Sequence, residues 1–145
     1  MELKDYRTSA HATWYCKYHV VFCPKYRHRI LRGRLAVQVR DMIRQLCQWK
    51  GVDIEEGHVS SDHIHLCLVV PPKLALANLV GTVKGKTAIR LFQKVPKLRK
   101  RYWGQHFWAR GYFVSTVGVD EETIKEYIRN QEMKEKQAEQ LGMEL

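Results

Sequence analysis

The chain has no long apolar run. Its longest, Leu66 to Val70, falls far short of the roughly 20 residues a membrane-spanning helix needs. The opening "MELKDYRTSAHATW" has no apolar stretch of the kind a secretion signal carries. Together these absences predict an intracellular, cytoplasmic protein with no membrane partner. No tract of low complexity and no internal repeat interrupts the sequence, which excludes solenoids and disordered tails of biased composition. Cysteine is sparse and scattered: Cys16, Cys23, Cys47 and Cys67 form no C-x-x-C pair. That spacing argues against structural zinc and a disulfide framework, and for reduced thiols used as small apolar fillers.

What is present is a globular composition, 45% apolar over 145 residues. A chain of this length can bury about two thirds of its unfolded surface. One domain spanning 1–145 is expected. The charge is large and uneven. The net charge is +10, with 21 Lys and Arg against 7 Asp and Glu in residues 1–119, and the acidic excess confined to residues 120–145. A basic body attracts polyanions, because each neutralised phosphate releases condensed counterions.

The periodicity changes along the chain. "WYCKYHVVFC", Trp14 to Cys23, alternates as a strand that Pro24 ends. From Leu35 to Trp49 the apolar residues return at helical spacing, with Gly51 placed as a C-terminal cap. Strands are predicted over 52–60 and 63–70, and a second helix from Leu76 to Phe92. Gly81 and Gly85 each weaken such a helix by about 1 kcal/mol relative to Ala, which suggests close packing or a nearby ligand. "HFWARGYFVSTVG" reads as a last strand, with a bulge or bend at Gly111. Asp120 reads as the N-cap of a final helix whose first turn holds Glu121 and Glu122. Strand, helix, strand, strand, helix, strand, helix is the split β-α-β order of ferredoxin-like and RRM-like folds with one added helix. The expected class is α+β, an antiparallel sheet with its helices on one face.

"SDHIHLCLVV" places His63 and His65 two apart on a strand, so both leave the same face about 6–7 Å apart. Neutral imidazoles at that spacing suit a shared cation; histidines on a solvated sheet face would look the same. Cys67 lies about 13 Å from His63 on an extended strand, too far to share its metal. In "EETIKEYIRNQE", Tyr127 and Gln131 sit one helical turn apart. Tyrosine serves as a nucleophile in covalent catalysis, although packing beside Ile124 and Ile128 is the plainer reading. "GTVKGKT" has three residues between its glycines, where a phosphate-binding loop needs four, so nucleoside triphosphate binding is excluded. Lys84, Lys86 and Arg90 then fit nucleic-acid backbone contacts or a solvated face. "KVPKLRKRYWGQHFW" interleaves basic residues with Tyr102 and Trp103, as single-strand binders do.

These segments, in this order, resemble the single-tyrosine transposases of bacterial insertion sequences, members of the His-hydrophobic-His (HUH) nuclease superfamily. "YHVVFCPKYR", "DHIHL", "KGKTA", "FWARGYFVSTVG" and "YIRNQE" carry the resemblance over nearly the whole chain. It implies that His63, His65 and Gln131 hold a divalent ion, Mg2+ or Mn2+, and that Tyr127 is the nucleophile. It further implies cleavage of single-stranded DNA at transposon ends through a 5′-phosphotyrosine, with a free 3′-hydroxyl that later rejoins strands. Similar proteins are homodimers that bind hairpins, the tyrosine helix of one subunit completing the histidine site of the other. Arg27, Arg29, Arg32, Arg34, Lys84, Lys86 and Arg90 are the candidates for DNA contact. Two other readings stand beside this one. One is a non-catalytic nucleic-acid-binding module of the same fold. The other is a replication or relaxase-type nickase, for which the chain has little room.

Overall fold

The computed structural model describes residues 7–102 and 106–117, together with Arg129 and Met133. Two short strands, β1 (Arg7–Ser9) and β2 (Ala12–Trp14), form an antiparallel hairpin of their own. Strand β3 (Lys17–Phe22) follows, so the predicted strand over 14–23 is two elements, broken at Tyr15 and Cys16. Alternation carried the forecast across this break because period-2 patterning does not register where a ladder changes partner.

Helix α1 (Gly33–Trp49) leads to β4 (Asp53–Val59) and β5 (Ile64–Val69). Helix α2 (Leu76–Lys94) runs two residues beyond the forecast, and the short α3 (Leu98–Arg101) follows. Strand β6 is confined to Phe113–Thr116. Gly111 bends the chain just before it, at φ 78°, a left-handed value that glycine adopts without strain. Gly51 (φ 71°) ends α1 in the same way. The forecast helix beginning at Asp120 lies outside the described residues.

The main sheet has the order β4-β5-β3-β6, and each neighbouring pair is antiparallel. Tyr18 pairs with Leu68, Val20 with Leu66 and Phe22 with Ile64, so these side chains share one face. On that face Val39, Met42, Ile43 and Leu46 of α1 and Leu79, Val80, Val83 and Leu91 of α2 complete the core. Each such side chain contributes about 1.5–3 kcal/mol through burial. Both helices therefore cover one side of the sheet. The other side is left for chemistry.

Gly81 and Gly85 do not mark a tight contact: a Cβ built at either meets nothing within 4 Å. Tyr102 is not a stacking platform for DNA either. It is fully buried against Phe92 and Phe107, and its hydroxyl meets His28 Nδ1 at 3.1 Å. Trp103 lies outside the described residues. "KGKT" and "FWARG" turn out to be two sides of one joint. Trp108 Nε1 donates to Thr87 Oγ1 at 2.9 Å, and Thr87 donates in turn to the Val83 carbonyl. No helix among the described residues is long and apolar enough to cross a membrane.

Candidate active site

The open side of the sheet is set by strand register. Val21 pairs with His65 and His19 with Cys67; across β4, His58 pairs with His65 and Glu56 with Cys67. Directly paired residues point to the same side of an antiparallel ladder. His19, His58, His65, Cys67 and Glu56 thus occupy one face, with Phe113 and Ser115 of β6 beside them. His63 stands at the mouth of β5, where Ser60 donates its backbone N–H to the His63 carbonyl and closes the turn from β4.

The histidines do not decorate a solvated surface. His63 and His65 are 4% and 7% exposed, and their rings meet edge to face with centroids 4.4 Å apart. Each is oriented through Nδ1. His63 Nδ1 lies 2.6 Å from Asp62 Oδ1, and Arg27 Nη2 holds the other oxygen of that carboxylate at 2.9 Å. The hydrogen bond from His63, with help from its charge and from Arg27, holds the Asp62 carboxyl below its usual range, against the opposing effect of burial. An ionised carboxylate only accepts, so His63 donates from Nδ1, and in the neutral ring this leaves the lone pair on Nε2. Arg27 reaches Asp62 from a left-handed backbone, φ 51°, following Tyr26 at φ 62°. Two successive non-glycine residues in this region cost of order 1–3 kcal/mol each. The ion pair is what that strained turn delivers.

His65 Nδ1 lies 3.3 Å from His19 Nε2. Its Nε2 is buried and makes no hydrogen bond among the described residues. Burial, followed by the neighbouring imidazoles of His63, His19 and His58, pushes the His65 pKa down to about 3, with Asp62 opposing weakly. His65 is therefore neutral at physiological pH and offers a lone pair. A buried nitrogen of this kind, beside an oriented second imidazole, fits the donor set of a divalent cation. Among the described residues no three His, Cys, Asp or Glu side chains form a ready metal cage. Gln131 and Tyr127 lie outside the described residues. Between them in sequence stands Arg129, whose Nε lies 3.1 Å from Glu56 Oε1 on the histidine face.

The basic candidates separate by environment. Arg29, Arg32, Arg34 and Lys86 are exposed. Arg27 is partly committed to Asp62. Lys84 donates to the carbonyls of Ala109 and Gly111 at 2.7 and 3.0 Å, tying α2 to the bend before β6. Arg90 donates to Gln45 at 3.3 Å and lies over the Trp49 ring. Sequence reasoning assigned nothing to His19, Asp62, Glu56 or His58. Asp62 could have been found, since a carboxylate adjacent to a ligand histidine is a common orienting partner. His19 depends on register with a strand 46 residues away, and Glu56 and His58 on the register of the β4–β5 hairpin.

An antiparallel sheet carries helices on one face and an oriented histidine pair on the other. The chain's relatives give the class. Residues 12–131 match the family described as "Transposase IS200 like", and the chain belongs to that family. It is 40% identical over 139 residues to the transposase for insertion sequence element IS200 of Salmonella typhimurium LT2, covering 96% of this chain and 91% of that one. It is 34% identical over 120 residues to the ISDra2 transposase TnpA of Deinococcus radiodurans, covering 82% and 86%. A crystal structure of a provisionally named transposase from Deinococcus radiodurans R1 superposes with a TM-score of 0.72 at 29% identity, covering 86% of this chain and 97% of that one. A REP-associated tyrosine transposase bound to a REP hairpin shares the fold alone, with a TM-score of 0.58 at 11% identity, covering 82% and 68%. The activity class is DNA transposition.

Proposed function

We propose that this transposase cuts and rejoins single-stranded DNA at transposon ends, with Tyr127 as the nucleophile and a divalent ion held by His63, His65 and Gln131. The observation that carries the reading is the pair of buried imidazoles, each in contact through Nδ1, with His65 Nε2 buried and without a hydrogen-bond partner among the described residues. Magnesium or manganese bound there would supply Lewis acidity toward a phosphate oxygen. His63 and His65 contribute neutral donors, which leave the charge of such a cation undiminished. Asp62 and Arg27 keep the His63 ring turned. A free tyrosine has a pKa of about 10, and the Tyr127 hydroxyl gives up its proton to solvent as it attacks the scissile phosphorus. The new Oη–P bond replaces the bond to the 3′ oxygen, which departs and takes up a proton. Rejoining is the reverse reaction with another 3′-hydroxyl. The phosphodiester is conserved throughout, so no ATP is required.

The substrate is single-stranded DNA with hairpin ends. A hairpin is what the REP-associated structural neighbour holds. Arg29, Arg32, Arg34 and Lys86 are exposed cations that this reading assigns to its backbone. A homodimer is part of the same reading. The β6 edge, with Tyr112, Phe113 and Val114 exposed at 38%, 58% and 40%, is an apolar strand margin of the kind that proteins pair or cover.

Incubation with single-stranded end DNA and Mg2+ tests the mechanism. A covalent protein–DNA adduct is expected from the wild type, none from Tyr127→Phe, and none after chelation. An adduct formed by Tyr127→Phe overturns the nucleophile. Binding that persists in His63→Ala while cleavage is lost separates the enzyme from a mere binding module.

A further inference from the structure

We infer that His19 is a positioning residue for His65: its Nε2 accepts the proton on His65 Nδ1 and so fixes the lone pair of His65 Nε2 on the side where His63 lies. The inference rests on the reading of His63 and His65 as cation ligands, and extends it to a residue that touches neither substrate nor cation.

The contact is directional. His19 Nε2 and His65 Nδ1 are 3.3 Å apart, while the ring planes differ by 15°. With centroids 5.6 Å apart, the near-parallel rings approach through their nitrogens, so an in-plane N–H on one ring can aim at the lone pair of the other. One nitrogen of this pair must carry the proton and the other must accept. If His19 donated, the His65 proton would move to Nε2, a buried atom with no hydrogen-bond partner among the described residues. An unpaired nitrogen there costs about 1–3 kcal/mol whether it carries a proton or a lone pair. Only the lone pair can be satisfied by a cation, so donation by His65 is the arrangement that a cation site requires.

His19 is held for this task. It is 7% exposed on β3, diagonal to His65 across the ladder, and Phe113 packs edge-on against its ring at 6.0 Å. It is not a third ligand, because its Nε2 is turned onto His65. The two ligand histidines thus have orienting partners of different chemistry, a carboxylate for His63 and a neutral imidazole for His65. A second carboxylate there would add negative charge beside the cation and the scissile phosphate. An imidazole orients without adding charge.

Two measurements on the full chain test this. In the metal-free wild type, nitrogen-15 shifts of the histidines should report His65 as the Nδ1–H tautomer. Calorimetry with Mn2+ should show affinity falling about 10–100-fold in His19→Leu, the usual loss for an orienting partner. His19→Gln, whose amide oxygen can still accept, should recover most of it. A wild-type His65 found as the Nε2–H tautomer overturns the inference without needing any variant to fold. So does a folded His19→Leu that binds Mn2+ like the wild type, or a folded His19→Gln that is as weak as Leu. His65→Ala binding Mn2+ at wild-type affinity would instead overturn the cation-site reading, and this inference with it.

Discussion

Arg129 reaches Glu56 of its own chain, Nε to Oε1 at 3.1 Å. Glu56 lies on the histidine face, and Arg129 stands two residues from both Tyr127 and Gln131 in sequence. The pair therefore ties Arg129 to the face that holds the imidazoles. Arg129 is 60% exposed and Glu56 only 20%, so the carboxylate is the fixed member. Charge reversal gives a direct test. Glu56→Arg or Arg129→Glu alone should lower adduct formation about tenfold or more, as misplacement of a reacting group does. The double exchange should restore it. Mixing the two single variants should not restore activity if the pair forms within a chain; rescue on mixing means it forms between chains.

Asp62 bridges Arg27 and His63, so under the proposed function its removal bears on cation binding. Asp62→Ala should weaken Mn2+ binding about 10–100-fold. Arg27→Ala leaves the carboxylate in place and should cost less. Titration calorimetry on both variants and on the double variant measures the coupling. Equal losses in Arg27→Ala and Asp62→Ala would show that the arginine, not the carboxylate, sets the ring.

The glycines of α2 offer stability that the native sequence does not use. A Cβ at Gly81 or Gly85 meets nothing within 4 Å. Each Gly→Ala change should therefore raise stability by about 0.5–1 kcal/mol through helix propensity. Chemical denaturation should show a shifted midpoint with an unchanged slope. A loss of stability, or a loss of DNA binding with stability intact, would reveal a contact made by that helix face.

Cysteine reactivity should follow burial. Cys47 is buried in the core and its pKa is pushed up to about 11 by desolvation. The thiolate is the nucleophile, so Cys47 should resist alkylation at pH 8 in the folded protein. Cys16 and Cys23 are partly exposed and should be modified first, with Cys23 slowed because burial raises its pKa too. Mass spectrometry after timed alkylation gives the order. Rapid labelling of Cys47 in native buffer would mean that α1 opens locally.

The core of this fold was legible because its signal is local. Leu35, Val39, Met42, Ile43 and Leu46 announce α1 by spacing, and Ile64, Leu66 and Leu68 announce the inner face of β5. His63 and His65 were legible for the same reason, being two apart on one strand. His19 was visible on the strand but not as a partner, because the β3–β5 register must be known before His19 can be placed beside His65, 46 residues on. Tyr102 misled in the opposite way. Its basic neighbours suggested DNA, yet Phe92 and Phe107 claim the ring. Neighbours in sequence were a poor guide where the chain turns under itself. The break at Tyr15 and Cys16 was missed because alternation alone does not say which strand is the partner.

The β4 ladder changes register between Ile54 and Glu56. Ahead of it Ile54 meets Leu68; beyond it Glu56 meets Cys67 and Gly57 meets Leu66. One residue, Glu55, is extra. For an evolving gene this makes the strand unequally tolerant of lost codons. Deleting Glu55 removes the bulge and leaves every pair on either side where it was, at the expense of an ion pair with Lys17. Deleting Gly57 also closes the ladder, but moves the Glu56 carboxylate opposite Leu66. There the glycine leaves so little room that even a Cβ would lie 3.2 Å from the leucine methyl. The strand can spare a residue at one place and not two positions later.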